Sequence, residues 1–224
     1  SSGGNTGGAV ALTGAHITTT GAIDTSGSAA KASSSAAGGA AGAITLDATD
    51  GTPLITLGGS LTSAGGLGDP APGTANRGNG ALVWLKDPTI LSAPITIDTM
   101  GLTGGGTTLT GTVNANAAFT QGLTVKGGVI TFAGTAGNSA ALGDVALSNT
   151  TLVNVDAAFI AKSLVATTSV TAFDSTGFAI TTTGANNEVG GVVTITTTGD
   201  LTTAAINALG GTDADSSGGN TGGA

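Results

Sequence analysis

The sequence predicts an all-β fold, a parallel β-solenoid (β-helix) with circuits of about 20 residues. Three observations carry that expectation. Apolar residues alternate with Thr, Asn or Asp in short runs along the chain, the period of a strand with one buried face. The apolar strand centres recur at near-regular intervals. Residues 1–9 and 216–224 share the nonapeptide SSGGNTGGA, displaced by 215 positions, and chance does not repeat nine residues even in a Gly- and Ser-rich chain.

Composition limits what can fill the core. Hydrophobic residues make up 39% of the 224, enough to bury an interior, but aromatics are only 3% and charged residues 8%, while Gly numbers 41. Thin layers of Val, Ile, Leu and Ala closed by Gly, Asn, Asp and Ser turns suit those numbers better than a globule of bulky side chains.

From the N-terminus, the Gly-rich nonapeptide leads into a strand at Val10-Ala11-Leu12, and ITTTGA at 17–22 returns at 180–185, with ITTTGD at 195–200. Residues 26–42 and 64–80 interrupt the alternation with Gly, Ala, Ser and Pro and are read as irregular excursions. The alanines of residues 29–43 would tolerate a helix, which the Ser and Gly among them oppose. Ile44-Thr45-Leu46, Leu82-Val83-Trp84-Leu85 and Ile95-Thr96-Ile97 alternate as strands, and Gly104-Gly105-Gly106 reads as a tight corner, lacking the Lys and Ser/Thr of a phosphate loop.

In the second half one series of strand centres runs through Leu109, Ile130, Leu152, Val170 and Val193, and a second through Leu123, Val145, Leu164, Ile180 and Leu201. Each circuit then carries at least two strands. At about 4.8 Å per circuit, ten circuits would make a rod on the order of 50 Å long. Residues 1–215 are expected to form one repeat unit and a single solenoid, and residues 216–224 to open the next identical unit.

Charge narrows the partners. The net charge is −8, and Lys31, Arg77, Lys86, Lys126 and Lys162 are scattered, so no basic stripe follows a phosphate backbone and nucleic acid is not an expected partner. No apolar run reaches the roughly 18 residues of a membrane helix, so membrane insertion is not expected either. Cysteine is absent, which fits export through an oxidising compartment.

The search for chemistry returns turn residues. Asp144, Asp156, Asp174, Glu188 and Asp200 are the carboxylates that a polysaccharide-cleaving groove would draw on, but most sit beside turn residues and read as turn caps. Asp47, Asp50, Asp213 and Asp215 lie in turn-like segments without an EF-hand loop, and His16 is the single histidine. No catalytic, metal or cofactor residues are assigned. Trp84, the one tryptophan, is a candidate ligand or lateral contact.

The phrases GGAVALTGAHITTTGAIDTSG near the start and GGVITFAGTAGNSAALGDVALSNTTLVNV at 127–155 resemble filamentous-haemagglutinin-like exoproteins and related bacterial β-strand-repeat surface proteins. The resemblance spans most of the chain outside the excursions and rests on pattern and composition. It implies a right-handed parallel β-helix, secretion to the bacterial cell surface or beyond, and work as a fibre or adhesin. The expected function is accordingly structural and not enzymatic, with identical units stacked head to tail through Val10, Leu12 and Ile17 at one end and Leu201, Ile206 and Leu209 at the other. An adhesin module binding glycans or proteins of other cells is the alternative, and a polysaccharide-active β-helix the lesser one.

Overall fold

The computed structural model describes residues 3–32, 35–50, 52, 54–69, 76–184 and 188–211. All described regular structure is β-strand, and every strand pairing is parallel.

The chain visits three ladders in a fixed order. The first pass supplies β1 (Val10–Gly14), β2 (His16–Thr19) and β3 (Ile23–Asp24); the second β4 (Ile44–Ala48), β5 (Leu54–Leu57) and β6 (Leu61–Thr62). The third supplies β7 (Val83–Leu85), β8 (Thr89–Leu91) and β9 (Ile95–Asp98), the fourth β10 (Thr107–Leu109), β11 (Val113–Ala115) and β12 (Leu123–Lys126). In the fifth pass β13 (Val129–Phe132) is followed by a lone bridge at Ala136 and then by β14 (Leu142–Val155). Strands β14 and β15 (Phe159–Ser175) are long enough to run through corners and serve consecutive passes. Next come β16 (Ile180–Thr183) and β17 (Val193–Thr197), then an eighth pass with β18 (Leu201–Thr203) and β19 (Ile206–Leu209). Because β14 and β15 turn corners, the first and third ladders, with β16 and β19 of the second, merge into one curled 15-stranded sheet, while β2, β5, β8 and β11 form a four-stranded sheet.

Along the first ladder the register partners are Val10, Ile44, Val83, Thr107, Ile130, Val153, Phe173 and Leu201. The widest step runs from Ile44 to Val83 and the narrowest from Val153 to Phe173; the steps from Thr107 through Ile130 and Val153 to Phe173 keep to a circuit of about 20 residues, while the earlier ones and that from Phe173 to Leu201 are longer. The expectation of about 20 residues with at least two strands per circuit therefore holds for those later passes and is too tight for the others. Three strands per pass is the pattern, and the eight passes at about 4.8 Å span about 38 Å rather than 50.

Stacked inward-facing positions form the core. On the first ladder Ile44, Val83, Thr107, Ile130, Val153 and Phe173 make one column, and Leu46, Leu85, Leu109, Phe132 and Val155 another, all at most 2% exposed. The second ladder contributes Ile17, Ile55, Thr89, Val113, Ala136, Phe159 and Ile180, so the two ITTTGA echoes occupy the same ladder position at opposite ends. Phe159 meets Phe132 edge to face across the interior at 5.3 Å between ring centroids. The third ladder adds Leu61, Ile97, Val125, Leu147 and Ala166. No pass has enough apolar area alone, so each layer depends on its neighbours.

The described residues of the two excursions form no strand, yet they bond to one another regularly. Both excursions leave the corner between the third and first ladders, and their described residues, with residues 3–9, fold into a hydrogen-bonded bundle of extended segments. Gly4 N–H donates to Ala37 O, Gly7 to Ala40 and Val10 to Ala43; Gly38 donates to Asn76, Ala41 to Asn79 and Ile44 to Leu82. Between the other segments Gly39 donates to Ser28 and Gly42 to Thr25, Gly66 to Gly39 and Asp69 to Ala36, Gly78 to Gly66 and Ala81 to Ser63. In each pairing the donor recurs every third residue, the period of polyproline-II and collagen-like chains rather than the period of two of a β ladder. Such packing brings backbones closer than a Cβ permits: one added at Gly39 would lie 1.8 Å from Asn5 O, and one at Gly66 2.0 Å from Ser28 O. At the base of the bundle the buried hydroxyls of Thr25 and Ser63 both donate to Gly42 O, at 2.6 and 2.7 Å, and Thr99 donates to Gly105 O at 3.2 Å.

Candidate functional site: the open ends of the ladders

A parallel ladder ends wherever a strand bonds on one side only. Among the described residues β1, β2 and β3 pair only with β4, β5 and β6, and at the other end β17 and β18 pair only with β15, and β19 only with β16. Each terminal strand leaves one row of backbone donors and acceptors with no strand partner among the described residues.

The side chains change in the same direction. Leu12 aligns with Leu46, which is fully buried, yet Leu12 is 38% exposed; Leu201 aligns with Phe173 and is 50% exposed; Ile206 aligns with buried Ile180 and is 44% exposed. These residues hold core positions in layers that no other described residue covers. Val10, opposite Ile44, is half-buried, and Ile17 is already covered by its own layer and the next. Leu209, 51% exposed, aligns with Thr183 on the outward alternate, so it contributes to the rim and not to the column.

Trp84 faces outward between the buried Val83 and Leu85. Its indole N–H donates to Thr110 Oγ1 at 2.8 Å, and Lys86 Nζ stands 4.7 Å from the ring centroid while pairing with Asp47 at 2.6 Å. The ring is thus half-buried and held on the side of the sheet.

Of the five candidate carboxylates only Asp144 and Glu188 come together, beside Lys162. Asp144 accepts from Ser163 Oγ at 2.6 Å, and with Lys162 and Glu188, themselves 3.3 Å apart, it lines a shallow depression on the third ladder. Asp156 accepts from Asn154, and Asp174 caps its own turn. The Thr176 hydroxyl, and then its backbone N–H, hold the Asp174 carboxyl below the usual carboxylate range, and Ser26 does the same for Asp24. Among the described residues no three His, Asp or Glu side chains gather as a metal site would need. Asp47 pairs with Lys86 and Asp50 with His16, while Asp213, Asp215 and the second nonapeptide lie outside the described residues.

Comparison with family models, with characterised proteins and with solved structures finds no match to this chain.

Proposed function

We propose that the protein is a structural repeat of a fibre: a closed, right-handed β-helix extended end to end by identical units, on or outside a bacterial cell. The carrying observation is that the sequence period and the passes are commensurate. Shifted by one period, from residue 1 to residue 216, Val10 falls at position 225, as far beyond Leu201 as Thr107 lies beyond Val83. That interval sits inside the range of steps already present, between the narrow one from Val153 to Phe173 and the wide one from Ile44 to Val83. One period therefore holds eight whole passes, and a following copy would meet the ladders in register. A right-handed coil is supported by the strong preference of parallel crossovers for that hand. The absence of cysteine and the sparse charge suit an exported, stacked surface.

The contact is made by open ladder rows and the uncovered layers holding Leu12 on one side and Leu201 and Ile206 on the other. A non-closing contact of this kind generates a filament. Electron microscopy of a chain carrying several such periods tests it: a rod of constant width, a cross-β spacing near 4.8 Å and a unit repeat of about 38 Å are expected. Separate beads joined by flexible linkers would overturn the proposal.

Trp84 favours one second reading, an adhesin module that binds glycans or protein surfaces, because the ring stands on the outer face beside a lysine. Loss of cell or glycan binding in Trp84→Ala, with rods unchanged, would support that reading.

A further inference from the structure

In the first copy, residues 3–9 fill a defined seat. Gly4, Gly7 and Val10 N–H donate to Ala37, Ala40 and Ala43 at 3.0, 2.8 and 2.9 Å, while Asn5 and Ser28 exchange two bonds, Asn5 N–H to Ser28 Oγ at 2.7 Å and Ser28 N–H to Asn5 O at 2.9 Å. The fit depends on glycine at particular places. A Cβ on Gly4 would lie 2.1 Å from Ser28 O and 2.3 Å from Gly39 N, and one on Gly7 2.0 Å from Thr25 O, whereas Gly8 has open space. The seat is built wholly from residues 25–43, downstream of the segment that fills it.

Residues 218–224 repeat residues 3–9 without a change: Gly219 corresponds to Gly4, Asn220 to Asn5 and Gly222 to Gly7. Apart from the Val10 donor, the donors, acceptor and glycine gaps that the seat requires are present a second time in residues 218–224. We infer that the nonapeptide is the joint between copies: residues 218–224 of one copy occupy the seat formed by residues 25–43 of the next, in the place its own residues 3–9 otherwise take. This rests on the end-to-end reading and names the contact that sets its register. In a covalent array the shared nonapeptide belongs to the following copy's bundle; between separate chains it is an exchangeable segment, and its partner is a second copy of this chain.

The test is Gly4→Val in the full chain, which drives the resident segment out and leaves the seat open. Light scattering is expected to show Gly4→Val assembling into head-to-tail oligomers at lower concentration than the unmodified chain, and Gly4→Val/Gly219→Val back at the level of the unmodified chain. Excess free peptide SSGGNTGGA should return the single variant to that level. A folded Gly4→Val that assembles no more readily than the unmodified chain overturns the joint. Oligomers that ignore both Gly219→Val and the peptide also overturn it, while leaving stacking through the ladder ends intact. If Gly4→Val does not fold, amide exchange on a two-period chain decides. Gly219→Val at the junction is expected to strip protection from the Ser28 amide of the second copy and spare that of the first. Equal protection in both copies overturns the inference, whereas the rod seen by microscopy tests the fibre separately.

Discussion

Thr107 occupies the inward column of the first ladder between Val83 and Ile130, fully buried, and its hydroxyl has no hydrogen-bond partner among the described residues. A buried hydroxyl without a partner costs about 1–3 kcal/mol, and Val has the same shape without that penalty. Thr107→Val is therefore expected to raise stability by about 1–2 kcal/mol in urea unfolding. The buried Thr99, which donates to Gly105 O and to Lys126 O at 3.2 Å, would lose stability on the same change. Charge acts at Asp174. Its carboxyl is depressed by the Thr176 hydroxyl and N–H, so the turn is favoured above the unfolded carboxylate value of about 3.9 and that contribution fades as pH falls through the folded value. Asp174→Asn keeps an acceptor for the turn but cannot titrate. The thermal midpoint of the unmodified chain should fall toward that of Asp174→Asn below about pH 4, and a constant offset between the two down to the acid limit would refute the assignment.

Corners decide how the strands become a coil. Two designs occur at the junction of the third and first ladders: early passes send out glycine-rich segments, and later ones turn within a few residues. The tight version uses the left-handed region at Gly128 (φ 52°), Asn149 (φ 52°) and Ser169 (φ 52°), and the register of β14 with β15 sets Asn149 opposite Ser169. Asn visits that region readily, Ser less so, and a β-branched residue hardly at all. Ser169→Gly should be neutral or slightly stabilising, and Ser169→Val should cost about 2 kcal/mol, measured by chemical unfolding. The contrast was hidden in the sequence. Alternation exposed the strand centres, and Leu109, Ile130 and Leu152 do share the first ladder while Leu123, Val145 and Leu164 share the third. Beyond them the phase slips: Val193 lies on the third ladder and Leu201 on the first, because passes as unequal as Val153 to Phe173 and Phe173 to Leu201 defeat a fixed period. The second ladder was illegible as a series, since strands such as Thr89–Leu91 and Val113–Ala115 are three residues long and bury Thr or Ala as often as Leu. The bundle had a signal that strand reasoning does not seek, glycine at a spacing of three: Gly4 and Gly7, Gly39 and Gly42, Gly65 and Gly68.

The passes stack along one direction, and whether they act as modules can be tested by removing one. Val129 pairs with Leu152 and Ile130 with Val153, so deleting residues 129–151 joins Gly128 to Leu152 and excises one whole pass. The columns close over the gap. Leu109 would stack on Val155, Val113 on Phe159 and Leu123 on Leu164, each apolar pair replacing another of the same kind. The shortened chain is expected to fold with parallel pairing throughout, to lose about one eighth of its denaturant m-value, and to unfold in one transition at lower denaturant. Deleting residues 129–140 instead removes about half a pass. It brings second-ladder positions beneath first-ladder ones, misaligns every column above the cut and should abolish cooperative unfolding. A chain that tolerated both deletions, or neither, would not be a stack of interchangeable layers. On the proposed fibre reading, lengthening by whole passes would leave the cross-section unchanged.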